Sequence, residues 1–212
     1  MILCQKYQAC GIIPQQRRFP MKSRSLSIVS ITFIGVMAAM VYVVTLFRFP
    51  LLGSKVHFAN AVCLLSGMLL GPVPGGLAAG LGSGLYDAFN GYDTINSLIT
   101  FVSKFIMAYL CGRIFHHPHS RSGKFDRTLL ASIAGALVYV LLYMLKTYVY
   151  NSFVYGYPAD AVWATMVSKL VPSLINAGVA IIAAPVFYHA VLPALRSSGI
   201  LAQMSPQHGK TH

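Results

Sequence analysis

Residues 71–93 read GPVPGGLAAGLGSGLYDAFNGYD. After a turn marked by Pro72 and Pro74, glycines recur at Gly76, Gly80 and Gly84, and the run reaches Asp87. These positions fall at i, i+4, i+8 and i+11, one face of a single helix. Glycine is among the poorest helix formers in water. In lipid the balance differs, because no hydrophobic force draws helices together and small residues let their backbones approach. The stretch therefore reads as a membrane helix with a packing face. That face also carries a carboxylate, one of only four acidic residues in the chain, and packing does not explain it.

Composition agrees with the membrane reading. Of 212 residues, 56% are hydrophobic and 9% charged, with a mean hydropathy of +0.66. A soluble domain carries about a quarter charged residues. The formal net charge of +12 would suit nucleic acid, but the basic residues sit in short polar segments between apolar runs, as the positive-inside rule requires. Nucleic-acid binding is set aside on that distribution. Cys4, Cys10, Cys63 and Cys111 form no CxxC, so small-residue packing is expected of them, with no metal and no cofactor. RRFPMKS (17–23) resembles a twin-arginine signal, yet the apolar run after it is too long for a signal core and ends without a cleavage site. It reads as a basic flank before a first membrane helix, and Met21 is an alternative start.

About 20 apolar residues cross a bilayer, fewer where the protein thins it. Six spans follow, at 26–47, 57–71, 75–90, 97–115, 127–150 and 161–190. The second and third are short, and Pro185 is expected to bend the sixth or end its spanning part. With the N-terminus inside, the inner segments hold eleven basic residues, whereas the outer loops hold two, Arg48 and Lys55. The expected fold is an all-α integral membrane protein of six transmembrane helices with both termini cytoplasmic. Its parts are a basic, disordered N-terminus (1–24), a membrane domain (25–192) and a cytoplasmic tail (193–212). The loop HHPHSRSGKFDR (116–127) shows no metal-ligand spacing, and no internal repeat is evident.

Three of the sixteen basic residues lie within the spans: Lys104, Lys146 and Lys169. A lysine at mid-bilayer costs about 3 kcal/mol on insertion scales unless it snorkels or finds a partner. Counting rise per residue puts Lys146 about 6 Å below the outer end of its helix, and the other two about 11–12 Å. Lys146 is thus shallow enough to snorkel. Pairing with Asp87 is open to one of the deeper two. Their helices carry polar stripes at helical spacing. The fourth has Ser97, Thr100, Lys104, Ala108 and Cys111; the fifth has Ser132, Ala136, Tyr139, Tyr143, Lys146 and Tyr150; the sixth has Thr165, Lys169, Ser173, Asn176 and Ala180. Such stripes must face protein or water. The economical structure is a polar cavity between these three helices, opening outward, with Asp87 at the depth of the lysines. Asn96, at the start of the fourth span, joins the candidate set.

VHFANAVCLLSGMLLGPVPGGLAAGLGSGLYDAFNGY (56–92) followed by TFVSKFIMAYLCGRI (100–114) resembles the membrane-embedded S component of energy-coupling factor (ECF) vitamin transporters, nearest the riboflavin-type group. The resemblance covers about 48–190. It implies a bacterial cell-membrane protein that captures a vitamin or related micronutrient from outside and works with a transmembrane T component and two cytoplasmic ATPases. It further implies a T-component docking motif on the first helix, matched by Gly35 and Ala39. Alanine is usual at both positions, and Gly35 departs from that. Asn60 stands where the family leads one to expect an acidic residue. The first outer loop, RFPLLGSKVHF (48–58), is then a lid over the site.

The residues agree that energy comes from elsewhere: SGKF (122–125) lacks the upstream glycine and the Ser/Thr of a phosphate loop. A stand-alone secondary transporter is the chief alternative, although such carriers often show two related halves. An intramembrane enzyme is the other, but Asp87 is the one plausible intramembrane carboxylate and no histidine is arranged with it. The expected mechanism stacks a ligand on Tyr139, Tyr143 and Tyr150, with Lys104, Lys169, Asn176 and Asp87 as polar contacts and residues 48–57 closing above. Excess lysine favours a ligand with a carboxylate, a phosphate or several acceptors, and the tyrosines favour a flat ring.

Overall fold

The computed structural model describes residues 28–51, 54–117 and 124–197. The elements run α1 (Ile28–Leu46), β1 (Arg48–Leu51), β2 (Ser54–His57), α2 (Ala59–Leu70), α3 (Pro72–Phe89), α4 (Thr94–Phe115), α5 (Lys124–Val149) and α6 (Ala159–Ser197), with a π-helical turn, Tyr150–Val154, following α5 directly. Each helix falls on an expected span. α1, α4, α5 with its π turn, and α6 are each long and apolar enough to cross a membrane. α2 has 12 residues, too few to span unaided. This is a helical membrane protein.

The opening stretch behaves as its pattern requires. Gly71 at φ 91 breaks the chain between α2 and α3, and Pro72 starts α3 where no amide donor is needed. A Cβ on Gly76 would lie 2.9 Å from the Phe105 ring, and one on Gly80 would lie 3.0 Å from the Phe101 ring. The glycine face is therefore the α3–α4 seam. A tighter seam went unanticipated: a Cβ on Gly112 of α4 would sit 2.7 Å from the carbonyl oxygen of Gly67 on α2. Cys63 and Cys111 are free thiols buried in this packing.

Three expectations are corrected. The first outer loop is an antiparallel β-hairpin, with Arg48 opposite His57 and Pro50 opposite Lys55; Pro50 is tolerated because a two-stranded ribbon is all edge. The sixth helix is longer than the 161–190 expected of it. It continues through Pro172, Pro185 and Pro193 to Ser197, since lipid offers no water to satisfy the carbonyls that breaking the helix would free. α5 likewise begins at Lys124 and its π turn passes 150. The readings of residues 1–24, of the RRFPMKS flank with Met21, of the first half of SGKF and of the tail past Ser197 lie outside the described residues.

Candidate binding site

Below the hairpin lies a cavity of about 480 Å³, within the range of small-molecule sites. Its walls come from the ends of the hairpin and from α3, α4, α5 and α6. Lys104, Lys169, Asn176, Asp87, Tyr139, Tyr143, Lys146, Tyr150 and Asn96 all line it. Asn60 does not; it is buried beneath, where its Oδ1 accepts a hydrogen bond from the Lys104 ammonium.

Lys104 is 3% exposed and lies about 15 Å along α4 from its start. Besides Asn60, its Nζ meets the face of Tyr139, 3.7 Å from the ring centroid. A cation over an aromatic face is attracted by the ring quadrupole, so an amide oxygen and a π face meet this ammonium in place of the pairing with Asp87 that was open to it. Among the described residues no ion pair joins Asp87 to a lysine. Lys146 does not snorkel: its Nζ reaches the Thr100 hydroxyl at 3.4 Å and the side chain lines the cavity. Lys169, half-buried on α6, also lines the cavity and makes no hydrogen bond or ion pair among the described residues.

On α5, Tyr139 and Tyr143 sit one turn apart with rings 6.2 Å between centroids and 23° between planes. The hairpin is fastened to opposite walls. The His57 backbone N–H donates to Asn176 Oδ1 at 2.9 Å, tying β2 to α6. The Arg48 guanidinium lies 5.1 Å above the Tyr86 ring, tying β1 to α3. Among the described residues, Asn96 Oδ1, Asn151 Nδ2 and Ser173 Oγ at the cavity wall are buried without a hydrogen-bond partner. Buried polar groups are nearly always satisfied, so these mark where a guest or water would bond.

Comparison with known proteins fits this geometry. The model of a family described as "ECF-type riboflavin transporter, S component" matches residues 25–192. The chain belongs to that family. A solved structure described as "Structure and mechanism of the S component of a bacterial ECF transporter" is similar at TM-score 0.62, covering 79% of this chain and 97% of that one at 18% identity; the likeness is one of fold. No curated protein matches the chain.

Several lining residues of this S component were not singled out by sequence. Arg48 was read as an outer-loop charge and His57 as part of the lid, yet both line the cavity. Tyr86 hides beside Asp87 on the glycine helix. Asn151 was placed beyond the end of the fifth span, but the π turn carries it inward; single π turns are frequent at functional sites. Its asparagine type just past a tyrosine stripe was the available signal. Gly35 and Ala39 lie elsewhere, exposed on α1, with nothing within 4 Å of where a Gly35 Cβ would be.

Proposed function

We propose that this S component captures a water-soluble vitamin or related micronutrient from outside a bacterial plasma membrane and delivers it through a T component and two cytoplasmic ATPases. One observation carries the reading: cations from three separate helices, Lys104, Lys146 and Lys169, turn into one cavity beneath a hairpin instead of scattering toward lipid. Six spans with both termini inside, favoured by the distribution of basic residues, put that cavity on the outer side. A ring would stack on Tyr139 and Tyr143, with Tyr150 near the mouth. Lys104, Lys169, Asn176, Asp87, Lys146 and Asn96 supply polar contacts, and Asn60 holds Lys104 from below. Gly35 and Ala39 present a bare strip of α1 on which a T-component helix can pack closely. Riboflavin is a candidate through the family alone.

The test is purification of the full chain in mild detergent, with mass spectrometry of any small molecule that accompanies it and of co-purifying subunits. A bound micronutrient, a T component and two ATPases are expected. A stand-alone carrier, the second reading, would instead transport by itself after reconstitution, and that result would overturn the S-component assignment of function.

A further inference from the structure

Among the described residues four cations line the cavity, Arg48, Lys104, Lys146 and Lys169, against one lining carboxylate, Asp87. What matters is how each is met. Arg48 lies over the Tyr86 ring. Lys104 has the Asn60 amide oxygen and the Tyr139 ring. Lys146 has the Thr100 hydroxyl, at a long 3.4 Å, and the attraction of the Asp87 carboxylate without an ion-pair contact, and Lys169 has no hydrogen-bond or ion-pair partner among the described residues. Among the described residues none of the three lysines forms an ion pair, and against the attraction of the single Asp87 carboxylate Lys146 feels the repulsion of both Lys169 and Lys104.

A site built for a neutral polar guest has no use for this. Asparagine or glutamine would donate hydrogen bonds at a far lower cost of membrane insertion. Buried lysines kept for structure are normally paired with carboxylates. A positive surplus in a low-dielectric cleft instead focuses field on whatever enters. On the reading that this cavity captures a solute, we infer that the solute is an anion: a flat ring bearing a carboxylate or phosphate, with the acidic group set between Lys146 and Lys169 and the ring toward Tyr139 and Tyr143. The unpartnered Asn151 Nδ2, a donor on a residue 5% exposed, suits an acceptor on the same guest.

The test follows thermal unfolding of the full detergent-solubilised chain. The probes are riboflavin, riboflavin 5′-phosphate, and a deproteinised low-mass cell extract split on an anion exchanger into retained and flow-through fractions. Stabilisation is expected from the retained fraction. If the ring is a flavin, the phosphate ester outbinds riboflavin. Phosphatase treatment of the retained fraction separates the two acids: loss of the shift identifies a phosphate, and persistence a carboxylate. Lys169→Met is expected to weaken the stabilising ligand about 10- to 100-fold, as for a lost charge-assisted hydrogen bond, with Lys169→Arg restoring most of it. Stabilisation confined to the flow-through, or riboflavin binding as tightly as its phosphate, overturns the anionic assignment and leaves capture standing. Stabilisation by none of the four overturns capture itself, and the anion with it.

Discussion

Asn60→Leu isolates how the protein keeps an ammonium inside a membrane. Lys104 is 3% exposed and its charge rests on the Asn60 oxygen and the Tyr139 face. A hydrogen bond to a charged group contributes about 1.5–3 kcal/mol. The ring face that remains is worth about 0.5–2 kcal/mol, too little to replace it. Asn60→Leu should therefore lower unfolding free energy by about 2–3 kcal/mol, measured by reversible SDS unfolding in mixed micelles. The cost arises from a stranded charge and not from lost packing, so removing the charge should recover stability. Adding Lys104→Met to Asn60→Leu should give a protein more stable than Asn60→Leu alone, with a coupling within the usual 0.5–3 kcal/mol of contacting pairs. Asn60→Asp should stay near wild type in stability, because a carboxylate pairs the same ammonium, yet weaken binding of an anionic ligand by cancelling one cavity charge. An Asn60→Leu protein as stable as wild type, or a double variant destabilised by the full sum of the singles, would refute the account.

Gly112→Leu should prevent accumulation of folded protein, because its Cβ would meet the Gly67 carbonyl at 2.7 Å and backbone cannot move aside; detergent-extractable yield checks this. Gly35→Leu, with open space at its Cβ, should fold normally and bind ligand but fail to co-purify the proposed T component. Asn151→Ala removes a donor with no partner among the described residues, so the unfolding midpoint should hold or rise while ligand affinity falls about 5- to 30-fold, read by calorimetry. His116, at the end of α4 away from the hairpin, bonds to the Met68 carbonyl at 3.0 Å, and burial holds its imidazole below the ordinary value of 6.5. A depressed base means the unfolded chain binds more protons. Its contribution is therefore complete above about pH 6.5 and is lost as pH falls through that value toward the folded one. Unfolding midpoints between pH 7.5 and 5 should drop less for His116→Asn than for wild type.

The helices were legible because lipid makes length and apolarity decisive, and the glycine spacing marked Gly76, Gly80 and Gly84 as a packing face without naming α4 as its partner. The cavity was legible for the same reason. Polar stripes bearing Lys104, Lys146 and Lys169 have one tolerable destination in a membrane, and the structure brings them there. What stayed hidden depended on pairings between distant residues. The Gly67–Gly112 seam joins positions 45 residues apart, and nothing in either local sequence names the other. The hairpin was obscured by Pro50, which argues against a strand unless both neighbours are known. Asn151 was missed because a π turn changes the helical register at the point where counting by 3.6 stops.

The two halves of the site make different physical demands, and the packing answers each. α3 and α4 meet across glycines with almost no room for a side chain, so the wall carrying Asp87 and Lys104 cannot spread without losing backbone contact. Among the attachments of the hairpin are an amide-to-side-chain hydrogen bond, His57 to Asn176, and a cation over a ring, Arg48 to Tyr86. These two contacts contribute roughly 1–3 kcal/mol. Asn176 is both fastener and cavity wall, so a guest that takes its Oδ1 as a partner competes directly with the His57 N–H. Binding and hairpin position are then coupled through one side chain. Asn176→Leu, which removes the acceptor without adding charge, should loosen β2 from α6 and speed both association and release of ligand in stopped-flow measurements. If association is unchanged or slower, that coupling is wrong.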